Sequence, residues 1–443
     1  MDPDHVEMAN EIKSKVILHW NCRGLVEFPE VIRLHGSHIQ EIYLKWNKLT
    51  TLPPWITELF NVTNLYMYGN RIEQLPVELG GMSQLTVLDL SANRLELISA
   101  CIGNLSNLKS LFLNDNFIER LPVGEKDLLT HMNETKTELS QLNNLEILSV
   151  SGNQIVALPE WTGSLPRLRE LYVDNNQLRE LPNRLTIAPE LTMISVCSNR
   201  LKYLPLNGFL SAPCIRFDAN EYLNYVSYPL LYQFLSQIHT TVVRDREYLL
   251  AFGCFKTHYD TNVLNTNIKL YIKLKRLYEI NDVIIELPRQ MLKIHEVHEN
   301  VTCSLWELAL RKVYTERNLV VFLQKYKYLA DLTQIHFRYK HTLDVSVSPA
   351  NVTILYKPLK NTKLDFTLST SYTLYNLLTN GPTGICVNSQ CQQPIFTEAW
   401  IIISINHYAE SMITIVLCCS RSCATAFAAH SSTTINLHWH SIN

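Results

Sequence analysis

The chain of 443 residues is short of the features that announce most enzymes. It has only 13 glycines, and none of them builds the Gly-rich loop whose backbone N–H groups cradle phosphates. No HExxH helix and no G-x-S-x-G nucleophile elbow occurs. An enzyme is therefore not expected. Charge of one sign is also missing: 39 Lys and Arg stand against 41 Asp and Glu. No basic surplus is available to neutralise phosphates, so a nucleic-acid partner is not expected either. The stretch "MDPDHVEMANEIKSK" has no apolar h-region, which argues against a secretory signal. The longest late apolar run, "AWIIISINHYAESMITIVLCC", is broken by Asn406, His407 and Glu410, which makes it a poor membrane span. The 11 cysteines are an odd number with no export signal in view. They read as mostly reduced thiols in a cytoplasmic protein, with the nucleus also open.

What is present is a repeat. The lines "VTNLYMYGNRIEQLP" (62–76), "LEILSVSGNQIVALP" (145–159) and "LRELYVDNNQLRELP" (168–182) share the formula L-x-x-L-x-L-x-x-N-x-L-x-x-L-P. The asparagine falls at 47, 70, 93 and 116, then at 153, 176 and 199, each step being 23 residues. This is the leucine-rich repeat period. It predicts an α/β fold, a leucine-rich repeat solenoid in which each repeat gives one short strand of a parallel-strand horseshoe. The Leu-type positions point inward. Asparagine sits where the chain leaves the strand, its amide free to bond backbone groups that the turn leaves unpaired. Leu-Pro then opens the return limb, where proline has no N–H to lose.

Residues 1–38 read as an N-terminal cap, with Arg23 in the asparagine slot, and 39–223 as the repeats, ending on Asn220 without Leu-Pro. Nine strands at about 4.8 Å spacing make a sheet roughly 38 Å long. The interval from Asn116 to Asn153 is 37, so 14 residues, 123–136, are extra. They are a convex-side excursion or an error in the gene model. The variable strand positions project onto the concave face. They run Tyr43, Tyr66, Asp89, Phe112, Ser149, Tyr172, Ser195, Arg216, beside a column with Lys45, Tyr68, Asn114 and Asp174, and next to Trp46. Aromatics on a rigid curved sheet are typical anchors for a protein partner. Tyr43, Trp46, Tyr66, Tyr68, Asp89, Phe112, Asn114, Tyr172 and Asp174 are the candidate contact residues.

Beyond the repeats, 224–300 carries no motif and reads as an irregular segment, and 321–379 as a linker. The Tyr-, Asn-, Ile- and Lys-rich composition of 224–283 and 325–375 makes them candidates for translated intron. Within 301–320, "SLWELALRKVY" places Leu305, Ala309 and Val313 on one helix face. Ser304 and Glu307 have the spacing of a capping box. The plain reading is an amphipathic helix packed on the end of the solenoid. Residues 380–430 hold two cysteine pairs, Cys386 with Cys391 and Cys419 with Cys423, with the layout of a four-thiolate structural zinc site. Cys418 is left over or is an alternative ligand, and the alternative is a set of buried free thiols. Residues 431–443 read as a disordered tail.

Taken in order, the repeats, the helix at 304–314 and the cysteine pairs with "PIF" between them resemble an intracellular leucine-rich repeat family, that of leucine-rich repeat-containing proteins 28 and 58. The resemblance spans about 16–223, 284–318 and 380–427. The helix resembles the BC-box of ubiquitin-ligase substrate receptors, in which a leucine enters a pocket of Elongin C. Here the following small residue is Ala309 rather than the usual cysteine, and no cullin-selecting Leu-Pro segment follows. The resemblance implies a non-enzymatic protein with a role as substrate adaptor of a cullin-type ligase; that it binds no nucleic acid and no membrane is the expectation from charge and hydropathy above. The alternative is a general signalling scaffold with no ligase link.

Overall fold

A Leu-x-Leu core repeated at a fixed interval dictates very short strands, because only the alternate residues between two turns have neighbours to bury against. The computed structural model describes residues 3–122, 141–209, 211, 213–231, 248–251, 269–275, 280–295, 301–315, 377–378, 380–388, 391–406 and 413–430. The insert 123–136, the stretch 325–375, His407 and the tail 431–443 lie outside the described residues. The chain divides into two units, Met1–Leu204 with Phe209–Leu223, and Pro205–Gly208 with Asn224–Asn443.

The first unit is a leucine-rich repeat solenoid. It opens with helix α1 (Pro3–Lys13), strand β1 (Ile17–His19) and helix α2 (Glu30–His35), and continues with β2 (Glu41–Tyr43), β3 (Asn64–Tyr66), β4 (Val87–Asp89), β5 (Ser110–Phe112), β6 (Ile147–Ser149), β7 (Glu170–Tyr172), β8 (Met193–Ser195) and β9 (Cys214–Arg216). All nine pair in sequence order, each parallel to the next. The register sets Leu18, Ile42, Leu65, Leu88, Leu111, Leu148, Leu171 and Ile194 in one buried row. The long interval between repeats leaves that row intact, since β5 pairs directly with β6. On the return limb, Pro53, Pro76, Pro159 and Pro182 each precede a short 3₁₀ turn. Ser99 replaces proline in one repeat and accepts a hydrogen bond from the Cys101 N–H instead. At the start, Glu11 takes hydrogen bonds from Trp20, Arg23 and Lys15 and closes the first repeat. Burial opposes its charge, but those donors win and hold its carboxyl down at about 2.

The asparagines form a buried ladder. Asn93 shows the pattern: its Nδ2 donates to the Leu90 carbonyl in its own repeat (2.9 Å) and to the Met67 carbonyl in the preceding one (3.0 Å). Its Oδ1 accepts the Ile72 N–H of the preceding repeat (2.9 Å). Asn70, Asn116, Asn153, Asn176, Asn199 and Asn220 do the same. The residue before each asparagine has positive φ: Trp46, Gly69, Ala92, Asp115, Gly152, Asn175, Ser198 and Ala219. That left-handed step turns the backbone so that the amide can reach both repeats.

The second unit has a sheet in the order β10 (Tyr225–Ser227), β18 (Ile413–Cys418), β17 (Glu398–Asn406), β11 (Tyr248–Ala251), with β14 (Lys293–His295) also on β17. Strands β12 (Lys269–Lys275) and β13 (Ile280–Glu286) form a separate hairpin. The stretch 224–300, read from sequence as irregular, thus contributes strands β10 to β14. Buried Tyr225 donates from its hydroxyl to the Glu286 carbonyl at 2.8 Å. The broken apolar run is explained as well: it is β17 and β18, paired antiparallel, with Trp400–Ile403 and Ile413–Cys418 buried. No helix among the described residues is long and apolar enough to cross a membrane. Helix α3 (Leu305–Thr315), the small hairpin β15 (Gly384–Ile385) and β16 (Pro394–Ile395), and helix α4 (Arg421–His430) complete the unit.

The ladder makes a prediction. Asn93→Ala strands the buried Ile72 N–H, worth about 1–3 kcal/mol when unsatisfied, and takes one of two amide donors from each of the Met67 and Leu90 carbonyls, which keep Asn70 and Asn116. Urea unfolding is expected to show a loss of roughly 2 kcal/mol, against less than about 0.5 kcal/mol for the exposed Glu96→Ala. Equal effects from the two substitutions would remove the ladder from the account.

Candidate functional site

The parallel register stacks one side chain per repeat on the concave face. The third residues of the strands run His19, Tyr43, Tyr66, Asp89, Phe112, Ser149, Tyr172, Ser195, Arg216. His19 extends the column by one residue that the sequence formula had not included. The column is not uniform. His19 stacks on Tyr43 with centroids 4.5 Å apart, and Tyr43 on Tyr66 at 4.4 Å. Lys45 Nζ lies 4.8 Å from the Tyr66 ring centre. Trp46, 59% exposed, meets Tyr68 edge-on at 5.0 Å. Gly69 makes room for it: a Cβ there would come within 2.6 Å of the Trp46 ring, and φ is +72°. The Tyr43 hydroxyl donates to Glu41 at 2.8 Å. Burial and that carboxylate push its pKa up, so the ring stays a neutral donor.

Further along, the polar residues are spent on one another. Asn114 Oδ1 accepts from Ser149 Oγ (2.6 Å) and the Ser151 N–H (2.9 Å). Asp174 Oδ1 accepts from Ser195 Oγ and the Cys197 N–H, both at 2.7 Å. Asp89 accepts the Ser91 N–H at 3.0 Å, and the Tyr172 hydroxyl donates to Glu170 at 2.8 Å. Phe112 is half-buried in the same column. The exposed aromatic surface is therefore concentrated on the first repeats.

The four predicted cysteines come together. Cys386 and Cys391 flank the turn between β15 and β16, Cys419 follows β18, and Cys423 is in the first turn of α4. Their sulfurs all lie within 4.8 Å of one another, with Cys391 to Cys419 at 3.3 Å and Cys419 to Cys423 at 3.7 Å. Ligands about 2.3 Å from a tetrahedral ion sit about 3.8 Å apart, so the donor set fits a metal ion. Hydrogen bonds from Cys418 and Cys419 hold the Cys386 thiol far below its ordinary range. Cys418 and Cys419 are pushed up by the same bonds and by burial. The same bonds favour the thiolate at Cys386, the form that ligates a metal.

Helix α3 departs from the sequence reading. The capping box forms by half: the Glu307 N–H donates to Ser304 Oγ at 3.2 Å. The Ser304 N–H goes instead to Glu398 Oε2 at 3.0 Å. Glu307 turns inward, fully buried, because it has better donors there. It accepts the Phe396 N–H (3.0 Å), the Thr397 N–H (2.7 Å) and hydroxyl (2.9 Å), and Arg311 Nε (2.8 Å). Arg311 donates onward to the Cys419 carbonyl at 3.0 Å and the Glu398 carbonyl at 3.2 Å. Leu305, 86% exposed, and Ala309 face outward, with Val313 half-buried beside them. The helix lies on β16 within its own unit. The sequence signal for this inward pair was present as Glu307 and Arg311 one turn apart. A second group, His295, Cys303 and Glu398, is buried. There His295 stacks on Trp400 and meets Glu398 at 2.9 Å. Burial works against the Glu398 charge, but His295 and Ser304 hold it at about 2.

These features make the first unit a leucine-rich repeat structure. Residues 143–186 match the family described as Leucine Rich repeats (2 copies), and 84–105 match Leucine Rich Repeat. No curated protein matches the chain. Among solved structures it is similar to a leucine-rich repeat protein of Leptospira interrogans, at 26% identity and TM-score 0.44, over 51% of this chain and 54% of that one. Internalin C2 of Listeria monocytogenes matches at 22% and 0.36, over 44% and 76%. The leucine-rich repeat ectodomain of a plant membrane receptor kinase of Arabidopsis thaliana, in complex with Casparian strip integrity factor 2, matches at 23% and 0.36, over 47% and 27%. The chain thus spans about half the length of the first of these.

Proposed function

We propose that this protein is a non-enzymatic interaction module that captures a protein partner on its concave face, in a reducing compartment such as the cytoplasm. The observation that carries the reading is the aromatic surface made by the His19–Tyr43–Tyr66 stack and the Trp46–Tyr68 pair on neighbouring repeats, with Lys45 over Tyr66. Aromatic anchors on a rigid sheet bury area at little entropic cost. Asp89, Phe112, Asn114, Tyr172 and Asp174 continue the same face as supporting contacts. Tyr43→Ala combined with Tyr66→Ala is expected to weaken the partner identified by affinity capture about 30-fold, the equivalent of about 2 kcal/mol. Unchanged affinity, with circular dichroism intact, moves the site off this face.

The four-cysteine cluster takes zinc in this reading, as a structural ion that orders the second unit. Thiolates in a tetrahedral set favour zinc, and the ligand spacing leaves no open position for chemistry. Native mass spectrometry of the reduced chain is expected to find one zinc, and none after Cys391→Ser with Cys423→Ser. Acidification releases it as the thiolates take up protons. A wild-type chain that takes up no zinc on titration overturns this part.

The stripe of exposed Leu305 and Ala309 with half-buried Val313 supports a second, finer reading: membership of the family that includes leucine-rich repeat-containing proteins 28 and 58, with α3 docking Elongin C in a cullin-type ligase. A leucine buried in a partner's apolar pocket contributes roughly 1.5–3 kcal/mol. Leu305→Ala is therefore expected to lower Elongin C capture about 10-fold or more with melting unchanged. No capture by the wild type leaves the general scaffold reading in its place.

A further inference from the structure

We propose that the metal centre holds helix α3 in its observed orientation, so that the order of the helix depends on metal occupancy. This rests on the zinc reading above. Helix α3 buries an ion pair beside its apolar contacts. Leu310 is buried and Tyr314 meets Phe396 edge-on, yet Glu307 and Arg311 are buried with them while Leu305, Leu308 and Ala309 face outward. Apolar burial alone does not favour that orientation. It is held by hydrogen bonds to the two segments that carry the thiols. Glu307 takes the N–H groups of Phe396 and Thr397, just past the Cys391 turn. The carbonyl of Cys419 accepts from Arg311 Nη1 at 3.0 Å and from the Cys303 thiol at 3.6 Å.

Binding of an ion by Cys386, Cys391, Cys419 and Cys423 ties the β15–β16 turn to the turn between β18 and α4. It thereby fixes the acceptors and donors that grip the helix. Four thiolates on a divalent ion carry a net charge of −2, and the buried Arg311 guanidinium reaches the ligand loop through the Cys419 carbonyl. Arg311 is thus a positioning residue for the ligand loop, and the loop in turn positions the helix. Without the ion the loops lose their cross-link, and the buried Glu307–Arg311 pair loses the backbone groups that satisfy it. A buried pair without those partners is unstable, so the helix frays.

The test uses the full chain, loaded with zinc and then stripped with a chelator. Metal content and hydrogen exchange are measured on the same samples. Exchange across 305–315 is expected to rise at least about 10-fold on stripping, with the strands of repeats 41–195 unchanged. Arg311→Met is expected to lower zinc affinity about 10-fold or more in chelator competition, Arg311→Lys to recover part of it, and exposed Leu308→Ala to leave it unaltered. Should Arg311→Met fail to fold, the wild-type stripping experiment decides alone. Zinc lost with α3 protection unchanged overturns this inference and leaves the zinc reading standing. A wild-type chain that binds no zinc yet protects α3 overturns both.

Discussion

A single side-chain amide per repeat governs this molecule. Each asparagine in the ladder satisfies the carbonyl of its own strand end and reaches back to a carbonyl and an N–H of the repeat before it, as Asn176 does with Val150 and Ile155. Both ends of the amide are used, so a slip of one residue between neighbours would orphan buried groups on each side. Register is therefore specified polar group by polar group, while the leucine row supplies bulk burial without direction. The aromatic stack follows from that constraint. Tyr43 and Tyr66 face each other at 4.4 Å because their strands are held in step at the spacing of neighbouring strands.

The same economy divides the concave face. Where residues are small and polar, as at Ser149, Ser151, Ser195 and Cys197, side chains and backbone N–H groups pair across repeats. Those groups have already exchanged water for protein partners and bring little new to a ligand. Where residues are aromatic, rings stack but leave edges and faces exposed, Trp46 most of all. The difference between the two halves is thus one of unspent surface. The second unit solves the opposite problem. Its helix α3 buries charge, and the charge is tolerated because every acceptor on Glu307 is matched by a donor.

Much of this was legible in the sequence, and the exceptions share a cause. The nine strands could be read because the period fixes Asn47, Asn70, Asn93 and their successors by type as well as place. The left-handed step before each asparagine could not. Its occupants, among them Trp46, Ala92, Asp115 and Ser198, share no residue type, since the amide bonds repay the strain regardless of side chain. The cysteine pairs were legible by spacing. The inward turn of Glu307 was not, because its donors are backbone groups of Phe396 and Thr397, some 90 residues along the chain. The apolar run at 399–419 reads in sequence as a poor membrane span, but its identity as two paired strands needed the pairing itself.

The central claim is that a partner is held on the concave face at its aromatic end. Site-specific photo-crosslinking tests it most directly. A benzoylphenylalanine is placed singly at Tyr43, Tyr66 and Tyr68, at Tyr172 further along the same face, and at exposed Val77 and Leu97 away from it. The account predicts strong crosslinks to one protein from 43, 66 and 68, weaker ones from 172, and none from 77 or 97. Crosslinks from 77 and 97 with none from 43 and 66 would contradict it.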